Sequence, residues 1–275
     1  MDRHSPITWK AALLLLALCA VMAVSALANS EDAVWPESPG DDVEINGKMV
    51  VDYSHMEDGY VMVCTSQPTN KKLKLRISRD KTQFMYDLNN EGEYEAFPLQ
   101  LGSGTYDIAL FENASGNKYS SGGKVTLKAK LVDENAAYLV PNQYVLYDKD
   151  SVTVKASDEM TEGEEDVQKI YDTVTQFLKD EFSYDFVRAK TIASGTLPEV
   201  DPTFERRAGV CQDLSAVTVC MLRVQGIPAR LVIGYADKYY HAWTVAIVNG
   251  EEIFFDPTAA IGALDAKKYQ IERMY

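Results

Sequence analysis

The sequence predicts an α+β chain in two parts, a run of short strands followed by a helix-and-sheet unit. Three observations carry that expectation. Residues 46–132 hold about seven short runs rich in Val, Tyr, Ile and Phe, each closed by turn residues. The apolar spacing changes to helical spacing after Pro141, clearest over 164–179 with Val167, Ile170, Tyr171, Val174, Phe177 and Leu178. A nearly all-apolar helix at 212–225 then precedes three strand-like segments, the last two joined by Asn249-Gly250.

Taken in order, residues 1–28 read as a secretory signal. Arg3 and Lys10 precede an apolar run over 11–24, and Ser25-Ala26-Leu27-Ala28 offers small residues for cleavage after Ala28. The run is short for a membrane span, which needs about 20 apolar residues, so an uncleaved anchor is the second choice. Lipid attachment at Cys19 is disfavoured because Leu18 stands where a small residue belongs. The expected location is secreted or at the cell surface, with membrane contact only through an uncleaved signal or lipid anchor. Residues 29–45 are acidic with two prolines and read as a solvated linker.

Residues 46–137 are expected to form a β-sandwich-like domain, immunoglobulin-like in size. Lys72-Leu73-Lys74-Leu75-Arg76-Ile77 alternates as a strand with one wet face does. His55 reads as a loop residue and Cys64 as a buried strand residue. Residues 138–275 form the second expected domain, with a loop-rich stretch over 184–208 before the apolar helix.

Composition narrows the chemistry. A net charge of −14 argues against a nucleic-acid surface, which needs clustered Lys and Arg. Four cysteines and three histidines rule out paired zinc motifs and a disulfide scaffold, and no EF-hand spacing occurs, so no metal or cofactor is expected. Loss of 1–28 would remove Cys19 and His4, leaving three cysteines and two histidines.

Within 138–275 the only histidine is His241. Cys211 opens the apolar helix, where unpaired N–H groups and the helix dipole favour a thiolate and could hold an oxyanion. Asp213, in the first turn, opposes that charge. Cys220 falls on the far side of the same helix and reads as core. Gly226 and Pro228 end the helix. A two-residue turn at Asn249-Gly250 pairs 248 with 251, which makes Asp256 a diagonal neighbour of His241 on one sheet face. Each of these residues taken singly is usually structural. Together they form a nucleophile, a base and an orienting carboxylate, the parts acyl transfer needs.

Several motifs then fall in one order: Ala208-Gly209-Val210-Cys211-Gln212-Asp213, Leu222-Arg223, Gly226-Ile227-Pro228-Ala229-Arg230, Gly234-Tyr235, His241-Ala242-Trp243 and Asp256-Pro257-Thr258. With Tyr184-Asp185 upstream, the set resembles the transglutaminase-like superfamily over roughly 138–275. That resemblance implies a papain-like fold, a central helix carrying the cysteine and an antiparallel sheet carrying His and Asp. It also implies a Cys211–His241–Asp256 triad acting on protein or peptide amides through a thioester. Trp243 and Tyr235 are expected to wall the substrate site. The family spans cross-linking enzymes, proteases and amidases as well as inactive members, so hydrolysis and amine transfer both stay open. A non-catalytic cell-surface binding or scaffold module is the alternative, and a cell-wall peptidase a third.

Overall fold

The computed structural model describes residues 30–275. The expected signal segment 1–28 lies outside the described residues. Eight strands come first: β1 (Val43–Asn46), β2 (Met49–Asp52), β3 (Tyr60–Thr65), β4 (Leu73–Arg79), β5 (Thr82–Leu88), β6 (Glu95–Pro98), β7 (Gly104–Ser115) and β8 (Lys118–Ala129). They form two antiparallel sheets, ordered β1-β2-β3-β6 and β5-β4-β7-β8. In β4 the alternation expected from Lys72 onward is real: Leu73, Leu75 and Ile77 are buried while Lys74 and Arg76 are half-exposed. The buried faces of both sheets share one apolar cluster, and Tyr86 meets Phe97 across it with ring centroids 5.2 Å apart.

The acidic stretch 29–45 was expected to be a solvated linker, and its described part is not one. Ser30 bonds the Asp158 carboxylate through its backbone N–H and its hydroxyl. Trp35 packs edge-on against Tyr147, and Val43–Asn46 pairs with Met49–Asp52 as an edge strand. Trp35, packed against the core, and the backbone pairing of β1 hold this acidic stretch to the fold.

The rest of the chain runs α1 (Val152–Thr161), α2 (Val167–Glu181), β9 (Ser183–Tyr184), α3 (Arg188–Thr191), α4 (Val200–Arg206), β10 (Ala208–Gly209), α5 (Cys211–Arg223), β11 (Ala229–Ala236), β12 (Tyr239–Val248), β13 (Glu251–Phe255), α6 (Pro257–Ala260) and β14 (Tyr269–Met274). The 184–208 stretch therefore carries two short helices where a loop was expected. The third sheet is antiparallel with the order β13-β12-β11-β14.

Helix α5 is the hub. Leu214 through Val219 and Cys220 through Leu222 are buried on every side, and the helix packs on β11, β12, α1, α2 and α4. It has no interior Gly or Pro, and it stops at Gly226, whose φ of +71° only glycine adopts freely. The Ile227 N–H bonds Leu222 O and the Gly226 N–H bonds Arg223 O, both at 3.0 Å, which closes the C-terminus as a Schellman turn. Arg223 is buried and donates to the carbonyls of Ala229 (2.9 Å), Val140 (2.6 Å) and Tyr275 (3.1 Å). One side chain so ties α5 to β11, to the segment before α1 and to the end of β14.

The expected division between residues 137 and 138 falls inside the turn Ala136–Leu139. The apolar cluster runs without a break from Met49 to Tyr275. The Tyr275 ring stacks on Tyr144 at 3.5 Å and lies edge-on to Tyr86 at 6.0 Å, so the last ring of the sheet is buried among first-sheet residues. The two parts share a core.

Candidate functional site

Cys211 stands first in α5, and the parallel bridge between β9 and β10 fixes the chain just before it. The first N–H groups of the helix have no intrahelical acceptor, so they remain free to face a ligand beside the thiol. Asp213 does not leave an open charge there. It is fully buried; its Oδ2 accepts from Arg188 Nε at 2.8 Å and from the Val210 N–H at 3.2 Å. Its Oδ1 accepts from the Glu199 N–H at 3.3 Å. The expectation that Asp213 opposes a thiolate is therefore corrected by an arginine from α3 that no local pattern announced.

His241 lies on β12, opposite Gly234 of β11. The hairpin register runs from Val248↔Glu251 to Thr244↔Phe255, the one the two-residue turn at Asn249-Gly250 predicts. The ladder stops there. Asp256 does not continue opposite Trp243 but turns out of the strand to cap α6, its Oδ1 accepting from the N–H groups of Thr258 (2.9 Å) and Ala259 (3.1 Å). Pro257 at the first helical position enforces that turn. Asp256 Oδ2 meets His241 Nε2 at 2.8 Å, with both side chains almost fully buried. Tyr269 donates its hydroxyl to the same Oδ2, also at 2.8 Å.

The second partner of the imidazole is Cys211. Asp256 occupies Nε2, which leaves Nδ1 as the ring nitrogen for the thiol. Burial, the largest single influence, opposes a charged imidazole; the hydrogen bonds to Asp256 and Cys211 and their charges outweigh it and raise the ring to about 9. The structure thus brings Cys211, His241 and Asp256 together.

The two expected wall residues fall elsewhere. Trp243 is 1% exposed and lies behind the imidazole, nearly parallel to it at 6.2 Å, packed with Val232, Val245 and Tyr269. It alternates onto the same strand face as His241, so it supports the ring rather than lining the cleft. Tyr235 is 38% exposed but stands one strand away, edge-on to Tyr240 at 5.6 Å. The cleft, about 430 Å³, is walled by Tyr184, Tyr239, Tyr240, Thr258 and the 263–265 loop, with Cys211 and His241 at its base. A second cleft of about 410 Å³ lies between β6 and residues 141–149, and it contains no cysteine or histidine.

Cys64 and Cys220 are both free and buried, and burial pushes both thiols up. Neither lines the site. Among the described residues no group of three or more His, Cys, Asp or Glu side chains is arranged to hold a metal ion.

A thiol, an imidazole and a buried carboxylate stand in series at a helix N-terminus open to a cleft, the parts that nucleophilic cysteine chemistry requires. Residues 154–257 match the transglutaminase-like superfamily model, a segment that contains Cys211, His241 and Asp256. No curated protein matches the chain. Similar solved structures include a candidate cysteine protease from Cytophaga hutchinsonii, 18% identical, covering 78% of this chain and 91% of that chain with a TM-score of 0.41. Another is the periplasmic domain of TgpA from Pseudomonas aeruginosa bound to ethylmercury, 18% identical, covering 80% of this chain and 76% of that chain with a TM-score of 0.37.

Proposed function

We propose that the chain is an exported cysteine acyl-transfer enzyme acting on protein or peptide amides, with Cys211 as nucleophile, His241 as base and acid, and Asp256 as the orienting carboxylate. The observation that carries this is the His241 ring, bonded to Asp256 on one nitrogen and facing Cys211 with the other. With the Cys211 proton held on Nδ1 of His241, the sulfur attacks the amide carbon. The carbonyl oxygen becomes an oxyanion beside the free N–H groups opening α5. Collapse breaks the C–N bond, His241 returns the proton to the leaving nitrogen, and a thioester to Cys211 remains. Water or an amine, deprotonated by His241, then attacks the thioester and frees the thiol. Residues 46–137, with their two facing sheets, act as a β-sandwich-like domain before the core, and residues 1–28 direct export.

Substrate profiling by mass spectrometry tests the activity. The wild-type chain and Cys211→Ala are incubated with a mixed protein extract and scored together for deamidation, cross-links and cleavage. At least one class is expected in the wild type and none in the variant. Identical profiles would leave a binding or scaffold module with this fold as the better account.

A further inference from the structure

The Asp256 carboxylate accepts four hydrogen bonds, and only one comes from His241. Its Oδ1 is held by two backbone N–H groups, while its Oδ2 is shared by the imidazole and the Tyr269 hydroxyl, each at 2.8 Å. Tyr269 opens β14, beyond the matched segment 154–257. β14 and β13, the strand that ends beside Asp256, are the opposite edges of the sheet. The Tyr269 ring nonetheless meets Phe254 of β13 at 4.7 Å and Trp243 of β12 at 5.1 Å. The sheet therefore curls enough for a phenol from one edge to reach a carboxylate at the other.

We propose that Tyr269 is a positioning residue of this site: its hydroxyl shares Asp256 Oδ2 with His241 and so limits how tightly the carboxylate holds the imidazolium, resting on the acyl-transfer reading above. A donor on Oδ2 draws charge away from the ring. An imidazolium held less tightly is a better acid toward the leaving nitrogen, which is the step that completes thioester formation. The titratable groups facing the pair are Asp256 before α6, Cys211 on α5 and Tyr269 itself, with the phenols of Tyr184, Tyr239 and Tyr240 across the cleft. Asp237 in the β11–β12 turn and Asp265 before β14 act at longer range. Burial first, then the bond to Asp256, pushes the Tyr269 phenol up, so it stays a donor at working pH.

Tyr269→Phe removes one oxygen and keeps the ring packed on Trp243 and Phe254. The test is the NMR titration of His241 in the full chain, with ring-labelled histidine, for wild type and variant. The midpoint is expected to rise by about half a pH unit or more in Tyr269→Phe. In the same variant kcat on an amide substrate falls about tenfold while KM holds. A fluorinated tyrosine at 269, a stronger donor, moves the midpoint down and serves if the Phe variant does not fold. An unmoved midpoint overturns the proposal, whatever the activity. A moved midpoint in a chain without turnover keeps the coupling and rejects the acyl-transfer reading, so the two failures are distinguishable.

Discussion

Asp256→Asn changes one atom of the carboxylate, and the four bonds around it dictate where the new amide nitrogen goes. The Thr258 and Ala259 N–H groups cannot become acceptors, so the amide must keep its oxygen toward them. The NH₂ group is then forced toward Tyr269 and His241 Nε2. A phenol rotates to accept it, but the imidazole can accept only by moving its proton to Nδ1, the nitrogen that faces Cys211. A ring protonated there cannot take the thiol proton. The expected loss in kcat/KM is about 10³–10⁴, the scale seen when a triad imidazole is held in the wrong tautomer. The ring also loses much of what lifts it from 6.5 to about 9, a net effect of about 3 kcal/mol left after burial has opposed it. Asn caps a helix about as well as Asp, so the cap is kept, and the weakened hold on the imidazolium should lower the thermal midpoint by about 5–10 °C. Steady-state kinetics with nitrogen-15 NMR of the ring checks all of this. Activity within tenfold of wild type, or a ring still protonated on Nε2, refutes the reasoning.

Other outcomes follow from the same contacts. His241 binds its proton more tightly folded than unfolded, so its contribution to stability is complete below about pH 6.5 and is lost as the pH rises through about 9. Denaturant titrations across that window should show a falling midpoint, and a flat profile contradicts it. Arg188→Ala leaves the buried Asp213 charge without its guanidinium and should cost about 2–3 kcal/mol, less than for a fully buried pair because Arg188 is partly exposed. Urea unfolding reads this directly, and Arg188→Lys should recover part of the loss. Gly234→Ala would bring a Cβ to 2.0 Å from Gln270 O at the irregular β11–β14 pairing. It should loosen β14 and with it the Tyr269 contact, seen as faster amide exchange over 269–274.

The site was legible where local chemistry writes itself into spacing. Cys211 opens a helix marked by its apolar run and by Gly226, and the Asn249-Gly250 turn fixes the register that brings Asp256 toward His241. What stayed hidden depends on distant chain. Arg188 meets Asp213 across 25 residues, and Tyr269 reaches Asp256 from the opposite sheet edge. Neither pair follows a helix or strand period. β14 itself, with Gln270, Ile271 and Glu272 exposed, has too little apolar alternation to read as a strand. Trp243 misled because a tryptophan two residues from a site histidine shares its strand face, and that face packs a core. The acidic stretch misled for the converse reason: charge dominates its composition, while Trp35 and the β1 pairing decide its structure.

The central claim is that His241 activates Cys211. Brief treatment with iodoacetamide near neutral pH, followed by adduct mapping, tests it most directly. Fast labelling of Cys211 over the buried Cys64 and Cys220, lost in His241→Ala, is the expected result. Equal, slow labelling of all three, or labelling of Cys211 unchanged by His241→Ala, contradicts it.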